Sequence, residues 1–241
     1  MKKLIFALLF APLAALASGD EFRLDNANID PHDAISIQRG ARTFVNYCLN
    51  CHSASSMRYN RLTELGLTEQ QIKDNLLFAT DKVGDPMTIS ASRKDQKKWF
   101  GAEPPDLSVV ARSRGTDWLY TYLRTFYRDE TRPTGWNNLA FPNVGMPHAL
   151  WQLQGAQAMK TESDEYEGHK VEHKKLVLEH PGTLSPIEYD KLTRDLVNFL
   201  SYMGEPEKTK RSQIGIVVLL FLLLLLVPVW LLKKEYWKDV H

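Results

Sequence analysis

The two cysteines of the chain stand three positions apart in Tyr47-Cys48-Leu49-Asn50-Cys51-His52-Ser53, and a histidine directly follows the second. This C-x-x-C-H spacing is the attachment signal for a c-type haem. Each thiol forms a thioether with a haem vinyl group, and the adjacent imidazole meets the iron from the same face. Cys48 and Cys51 are therefore the expected covalent links and His52 the expected proximal ligand. Two other uses of such a pair need surroundings that the sequence does not offer. A thioredoxin-like dithiol requires a βαβ context, whereas Ile37, Ala41, Phe44 and Val45 recur at helical spacing before Cys48. A structural zinc site requires further Cys or His ligands at matching spacing, and the chain holds no second cysteine pair.

A sixth iron ligand has to come from a segment far enough along the chain to cross the opposite face of the ring. Met57 is too close to His52, Met203 lies just before the apolar C-terminal run, Met87 follows Asp85-Pro86, and Met159 sits in a polar stretch. Met146 lies in Phe141-Pro142-Asn143-Val144-Gly145-Met146-Pro147-His148. Prolines on both sides and a glycine before the methionine suit an irregular, locally rigid segment. Met146 is the expected sixth ligand, which would raise the reduction potential, and His148 is its competitor.

The elements that position these residues read as mostly α: a class I-like cytochrome c domain with extended loops and a small β insertion, followed by one C-terminal transmembrane helix. Asp33 is placed to cap a helix leading into the haem motif. Thr68 to Gln71 forms a capping box for a second helix, and Gly115 to Tyr127 reads as a third. Ser185-Pro186-Ile187-Glu188 opens the clearest helix, whose stripe of Leu192, Leu196, Phe199, Leu200 and Met203 is expected to pack against the first. Residues 156–182 read as an exposed acidic insertion with a strand-like run at 174–179. Its His169 and His173 read as solvated loop histidines.

The ends of the chain carry targeting information. Lys2-Lys3, an apolar run from Leu4 to Leu16 and Ala15-Leu16-Ala17 have the layout of a cleavable secretory signal, 1–17. Ile214 to Leu232 is an uncharged run of about 19 residues, long enough to cross a hydrocarbon core. The expected organisation is a periplasmic haem domain at 18–207, an anchor with basic flanks at 208–233, and a cytoplasmic tail at 234–241. The chain would then span the inner membrane once. Residues 18–207 hold 22 Lys and Arg against 27 Asp and Glu, a net of −5. That balance argues against a nucleic-acid partner and suits a cationic protein, with Glu162, Asp164, Glu165 and Glu167 as a docking cluster.

With these residues in place, the chain resembles the bacterial-type cytochrome c1 family, the haem c subunit of the ubiquinol-cytochrome c oxidoreductase (bc1 complex, complex III). The resemblance rests on Cys48 to His52, Met57-Arg58-Tyr59, Pro104-Pro105-Asp106-Leu107-Ser108, Ala111-Arg112, Phe141 to Pro147 and the single C-terminal anchor. It implies Met146 as the sixth ligand, Pro105 lining the haem pocket, and Arg112 paired with a haem propionate. It also implies a dimeric complex with cytochrome b and the Rieske iron-sulfur protein. One electron would pass from the Rieske protein to this haem and on to a soluble or tethered cytochrome c. Quinol oxidation would belong to cytochrome b, with no turnover by this chain alone. Two rivals share the attachment motif: another anchored mono-haem cytochrome c serving a terminal oxidase, and a haem-based ligand-binding protein with a weak sixth position.

Overall fold

A computed structural model describes residues 23–166 and 169–239; the expected secretory signal lies outside them. Helix α1 spans Ala34–Thr43, and the Asp33 carboxylate caps it by accepting from the Ser36 N–H at 2.9 Å. It runs into one wider turn, Phe44–Cys48. Strand β1 (Ala54–Arg58), a 3₁₀ stretch (Tyr59–Leu65) and α2 (Glu69–Asn75) follow, with the Thr68–Gln71 capping box formed. Next come β2 (Pro86–Met87), α3 (Arg93–Phe100), α4 (Val110–Arg114) and α5 (Thr116–Arg124). Strands β3 (Phe126–Arg128) and β4 (Trp136–Asn138) precede a short α6 (Trp151–Gln154). A ribbon of β5 (Gly155–Tyr166) and β6 (His169–Pro181) leads to α7 (Pro186–Gly204) and α8 (Lys208–Tyr236). The strands form three separate antiparallel pairs, β1-β2, β3-β4 and β5-β6.

The core is built where α1 crosses α7. Gly40 makes the crossing close: a Cβ there would fall 2.0 Å from the Asp195 carbonyl oxygen. Asp195 answers from α7 with its side chain, accepting from Ser36 Oγ at 2.6 Å and pairing with Arg39 Nε at 2.5 Å. Around this clamp Ile37, Ala41, Phe44, Leu196, Val197 and Phe199 are almost wholly buried. Each large apolar side chain so hidden contributes about 1.5–3 kcal/mol. The expected packing of the last domain helix on the first is thus present.

Two expectations need correction. The helix expected to reach Tyr127 ends at Arg124, because Phe126–Arg128 pairs with Trp136–Asn138 instead. Aromatic side chains are as well suited to a strand as to a helix, and the cross-strand partners decide. The small β insertion expected at 156–182 is present as a ribbon whose strands run for 12 and 13 residues, well beyond the strand-like run at 174–179. His169 and His173 therefore lie on a strand, not in a loop. The ribbon is tied at its base, where Gln157 Nε2 donates to the carbonyls of Arg124 and Phe126, both at 2.9 Å.

Helix α8 has 29 residues, about 44 Å at 1.5 Å per residue, against a hydrocarbon core of about 30 Å. Its side chains from Ile214 to Leu232 are apolar on every side, and none is covered by the domain. A helix apolar all round and uncovered by protein is what a bilayer stabilises. Trp230, Tyr236 and Trp237 gather toward its C-terminal end, where the Lys234 ammonium lies 5.6 Å from the Trp230 ring. That placement suits a membrane–water boundary.

Candidate functional site

The attachment motif is presented by the turn that ends the first helix. The Leu49 N–H reaches back five residues to the Phe44 carbonyl at 3.0 Å, widening the helix just before the motif. The Cys48 carbonyl then accepts from Cys51 at 3.1 Å and from His52 at 2.9 Å. One turn of backbone thus holds both sulfurs and the imidazole. The cysteines are unbridged. Burial pushes the Cys48 thiol up to about 12 and raises that of Cys51 as well. Both are protonated at neutral pH, unlike the thiolates that a reactive dithiol or a zinc site uses.

His52 is nearly buried, and its Nδ1 lies 2.8 Å from the Pro105 carbonyl oxygen. A carbonyl can only accept, so Nδ1 carries the proton and Nε2 keeps its lone pair. Burial lowers the pKa of the ring, outweighing the opposing influence of Pro105 and Asp106. The result is a neutral imidazole of fixed tautomer and orientation, the form that binds a metal.

Residues 89–107 wrap this turn like a strap. Ile89 N–H donates to Ser53 Oγ at 3.1 Å, Gln96 Nε2 to the Cys51 carbonyl at 3.0 Å, and Leu107 N–H to the Ser53 carbonyl at 2.8 Å. The Asp106 carboxylate accepts from the N–H groups of Ser55 at 2.9 Å and Ser108 at 2.8 Å. Burial alone would raise its pKa, but the bonds from Ser108 and Ser55 together hold it below the usual carboxylate value. Pro105 was expected only from the family resemblance, as a lining residue, and Gln96 was not singled out. The Gln96 side chain is buried although it sits in a highly charged helix, and nothing in its sequence spacing marks that.

Met146 lies on a segment held by different means. Buried Asn138 accepts from the N–H groups of Ala140 at 2.9 Å and Phe141 at 3.0 Å, and donates to the Tyr122 carbonyl at 2.7 Å. Asn137 Oδ1 accepts from Asn143 N–H at 2.8 Å, where the chain adopts a left-handed φ of 65°. Asparagine tolerates that conformation better than most residues. The Met146 sulfur receives the Tyr122 hydroxyl at 3.3 Å, and Tyr122 is itself stacked on Trp118 with centroids 4.9 Å apart. Phe126, Trp136 and Val144 form a small apolar cluster against which Met146 and Tyr122 pack. Neither Tyr122 nor Asn138 was singled out from the sequence.

His148, the competitor, is clamped between aromatic rings. Phe126 lies parallel to it at 4.8 Å and Trp136 meets it edge-on at 5.1 Å. Burial lowers its pKa to about 4, so the ring is neutral, and its buried Nε2 has no partner among the described residues. Arg112 is exposed, with its aliphatic chain beside Gly204. Arg114, two residues on, instead lies over Trp118 at 5.0 Å and Phe141 at 5.7 Å.

These groups fit a covalently held haem. Two protonated thiols and an imidazole with its lone pair held available share one turn, while a thioether donor sits on a separate aromatic-lined segment. Together with the uncovered apolar helix, they define a membrane-anchored c-type cytochrome. Residues 25–240 match the cytochrome C1 family. The chain is 52% identical to cytochrome c1 of Allochromatium vinosum, with all of both chains aligned. It is 48% identical to a Nitrosomonas europaea protein named ammonia monooxygenase gamma subunit, across all of this chain and 99% of that one. It is 27% identical to cytochrome c1 of Rhodospirillum rubrum, across 87% of this chain and 83% of that one. The chain belongs to the cytochrome c1 family: it is an electron-transfer subunit of the bc1 complex and carries haem c on Cys48 and Cys51.

Proposed function

We propose that this chain takes one electron from the Rieske iron-sulfur protein and gives it to a soluble or tethered cytochrome c, while cytochrome b in the same dimeric complex oxidises the quinol. The observation that carries the reading is the His52 imidazole, neutral and fixed by the Pro105 carbonyl within one turn of both cysteines. When bound, the haem supplies a one-electron iron couple. His52 would hold the iron through Nε2 and Met146 through its sulfur. The Tyr122 hydroxyl orients that sulfur and draws electron density from it, which favours the reduced state. Pro105 would line the haem pocket, and Arg112, which makes no ion pair among the described residues, would hold a propionate.

In this reading residues 1–17 are removed on export, 18–207 lie in the periplasm, 208–233 cross the inner membrane, and 234–241 remain in the cytoplasm. The support is the layout of a signal followed by one stop-transfer helix.

The test is to purify the membrane assembly intact, identify its subunits by mass spectrometry, and record reduced-minus-oxidised spectra of wild type and Met146→Leu. Recovery with cytochrome b and a Rieske protein, and loss of the methionine-ligated signature in the variant, is the expected result. The name carried by the Nitrosomonas relative supports a second reading, in which the chain accompanies a monooxygenase. Recovery with monooxygenase subunits would establish that reading instead, and recovery with oxidase subunits would point to a terminal-oxidase cytochrome. An unchanged spectrum in Met146→Leu would move the ligand to His148, whose unpartnered Nε2 keeps it in contention.

A further inference from the structure

Charge on the haem domain is unevenly placed. Residues 18–207 carry a net −5, yet the eight residues of α3 hold Arg93, Lys94, Lys97 and Lys98 against Asp95 alone, a local net of +3. Arg93 pairs with Glu103 at 3.1 Å, whereas Lys94, Lys97 and Lys98 are exposed and form no ion pair among the described residues. The helix ends in Trp99 and Phe100, 62% and 53% exposed, their rings edge to face at 6.4 Å. Scattered apolar residues on a surface need no explanation, but two adjacent exposed large aromatics on a helix that also carries three unpaired lysines suit an aromatic-centred, polar-rimmed interface. The helix is also fixed beside the chemistry, since Gln96 from its middle bonds the Cys51 carbonyl.

We propose that the exposed side chains of α3 are the docking surface for the diffusing electron acceptor, and that this acceptor is an acidic electron-transfer protein. The inference rests on the reading that the electron leaves this haem for a mobile carrier. Long-range steering speeds only a diffusional encounter, so a concentrated basic patch serves a mobile partner better than one held within the complex. The remainder of the domain sharpens the effect, because its net charge of −8 (−5 − 3) disfavours approach of an acidic partner from other sides. Glu162, Asp164 and Glu165 of the acidic cluster expected to dock a cationic protein lie on β5, in a ribbon tied at its base to Arg124 and Phe126, whereas α3 is bonded to the haem-bearing turn itself.

The experiment uses the whole complex in neutral-lipid vesicles, reduced by quinol and mixed rapidly with an acidic or a basic small c-type cytochrome of matched potential. Wild type is compared with the triple variants Lys94→Glu/Lys97→Glu/Lys98→Glu and Lys94→Gln/Lys97→Gln/Lys98→Gln, and with Trp99→Ala/Phe100→Ala. Haem spectra check that each variant is intact. For the acidic acceptor, the wild-type rate should fall as salt is raised. At low ionic strength the Glu variant should be about tenfold slower, the Gln variant intermediate, and the basic acceptor faster with the Glu variant. The aromatic variant should dissociate faster while keeping the salt dependence. Insensitivity of the acidic acceptor to these changes, or a lysine effect seen only in vesicles containing anionic lipid, would overturn the proposal, the latter assigning the patch to the membrane surface. Failure of quinol to reduce this haem at all would refute the underlying electron-transfer reading, whereas normal reduction with an insensitive handover would refute only the docking assignment.

Discussion

The turn that carries Cys48, Cys51 and His52 and the segment that carries Met146 face the same task with opposite means. The first is local: two backbone bonds to the Cys48 carbonyl gather all three groups, and the 89–107 strap only steadies them. The second is irregular, and its shape is imposed from a distance by Asn138, Asn137 and Tyr122. One side is written in five consecutive residues. The other depends on contacts among residues up to 24 positions apart. The contrast teaches that the attachment side should fail all at once and the methionine side by degrees.

Replacing both Cys48 and Cys51 by alanine should abolish covalent haem entirely, read by haem staining after denaturing electrophoresis. Retained stain would break the comparison at its strongest point. Met146→Leu should keep the stain but lower the reduction potential by on the order of 0.1 V, within the roughly 0.8 V range that axial ligands command. It should also let the reduced protein bind carbon monoxide at neutral pH.

These two outcomes bear on what the sequence made legible. The C-x-x-C-H motif, the Asp33 cap and the Ser185 capping box are short-range patterns whose physics closes within a few residues, and the structure forms the turn and both caps. Choosing among five methionines already required a longer argument, from prolines and a glycine rather than from any contact. Asn138 was invisible because a buried amide that organises a loop looks like any loop asparagine until its partners are known. Tyr122 was hidden among the aromatic residues of α5, and its bond to Met146 joins positions with no fixed spacing. The end of α5 was misplaced for the same reason, since only the cross-strand pairing with Trp136–Asn138 shows that Phe126 has left the helix.

Asn138→Ala should sharpen the distinction. It strips partners from the N–H groups of Ala140 and Phe141 and from the Tyr122 carbonyl, and should lower stability by about 2–4 kcal/mol in denaturant titration. Covalent haem should be unaffected, while carbon monoxide binding to the reduced protein should increase. The smallest effect is expected from Tyr122→Phe, which keeps the stacked ring and removes only the hydroxyl above the sulfur. A neutral hydrogen bond of about 0.5–1.5 kcal/mol corresponds to about 20–60 mV for a one-electron couple, which bounds the fall in potential, since only the part of the bond that differs between the two redox states counts. An unchanged potential would reduce Tyr122 to a packing residue.

The most direct test of the central claim is the magnetic circular dichroism of the oxidised complex, which separates histidine–methionine from bis-histidine coordination at this haem. The account predicts the histidine–methionine signature in wild type and its loss in Met146→Leu with His148 left intact. A wild-type spectrum without that signature, changed by His148→Phe and untouched by Met146→Leu, would contradict it.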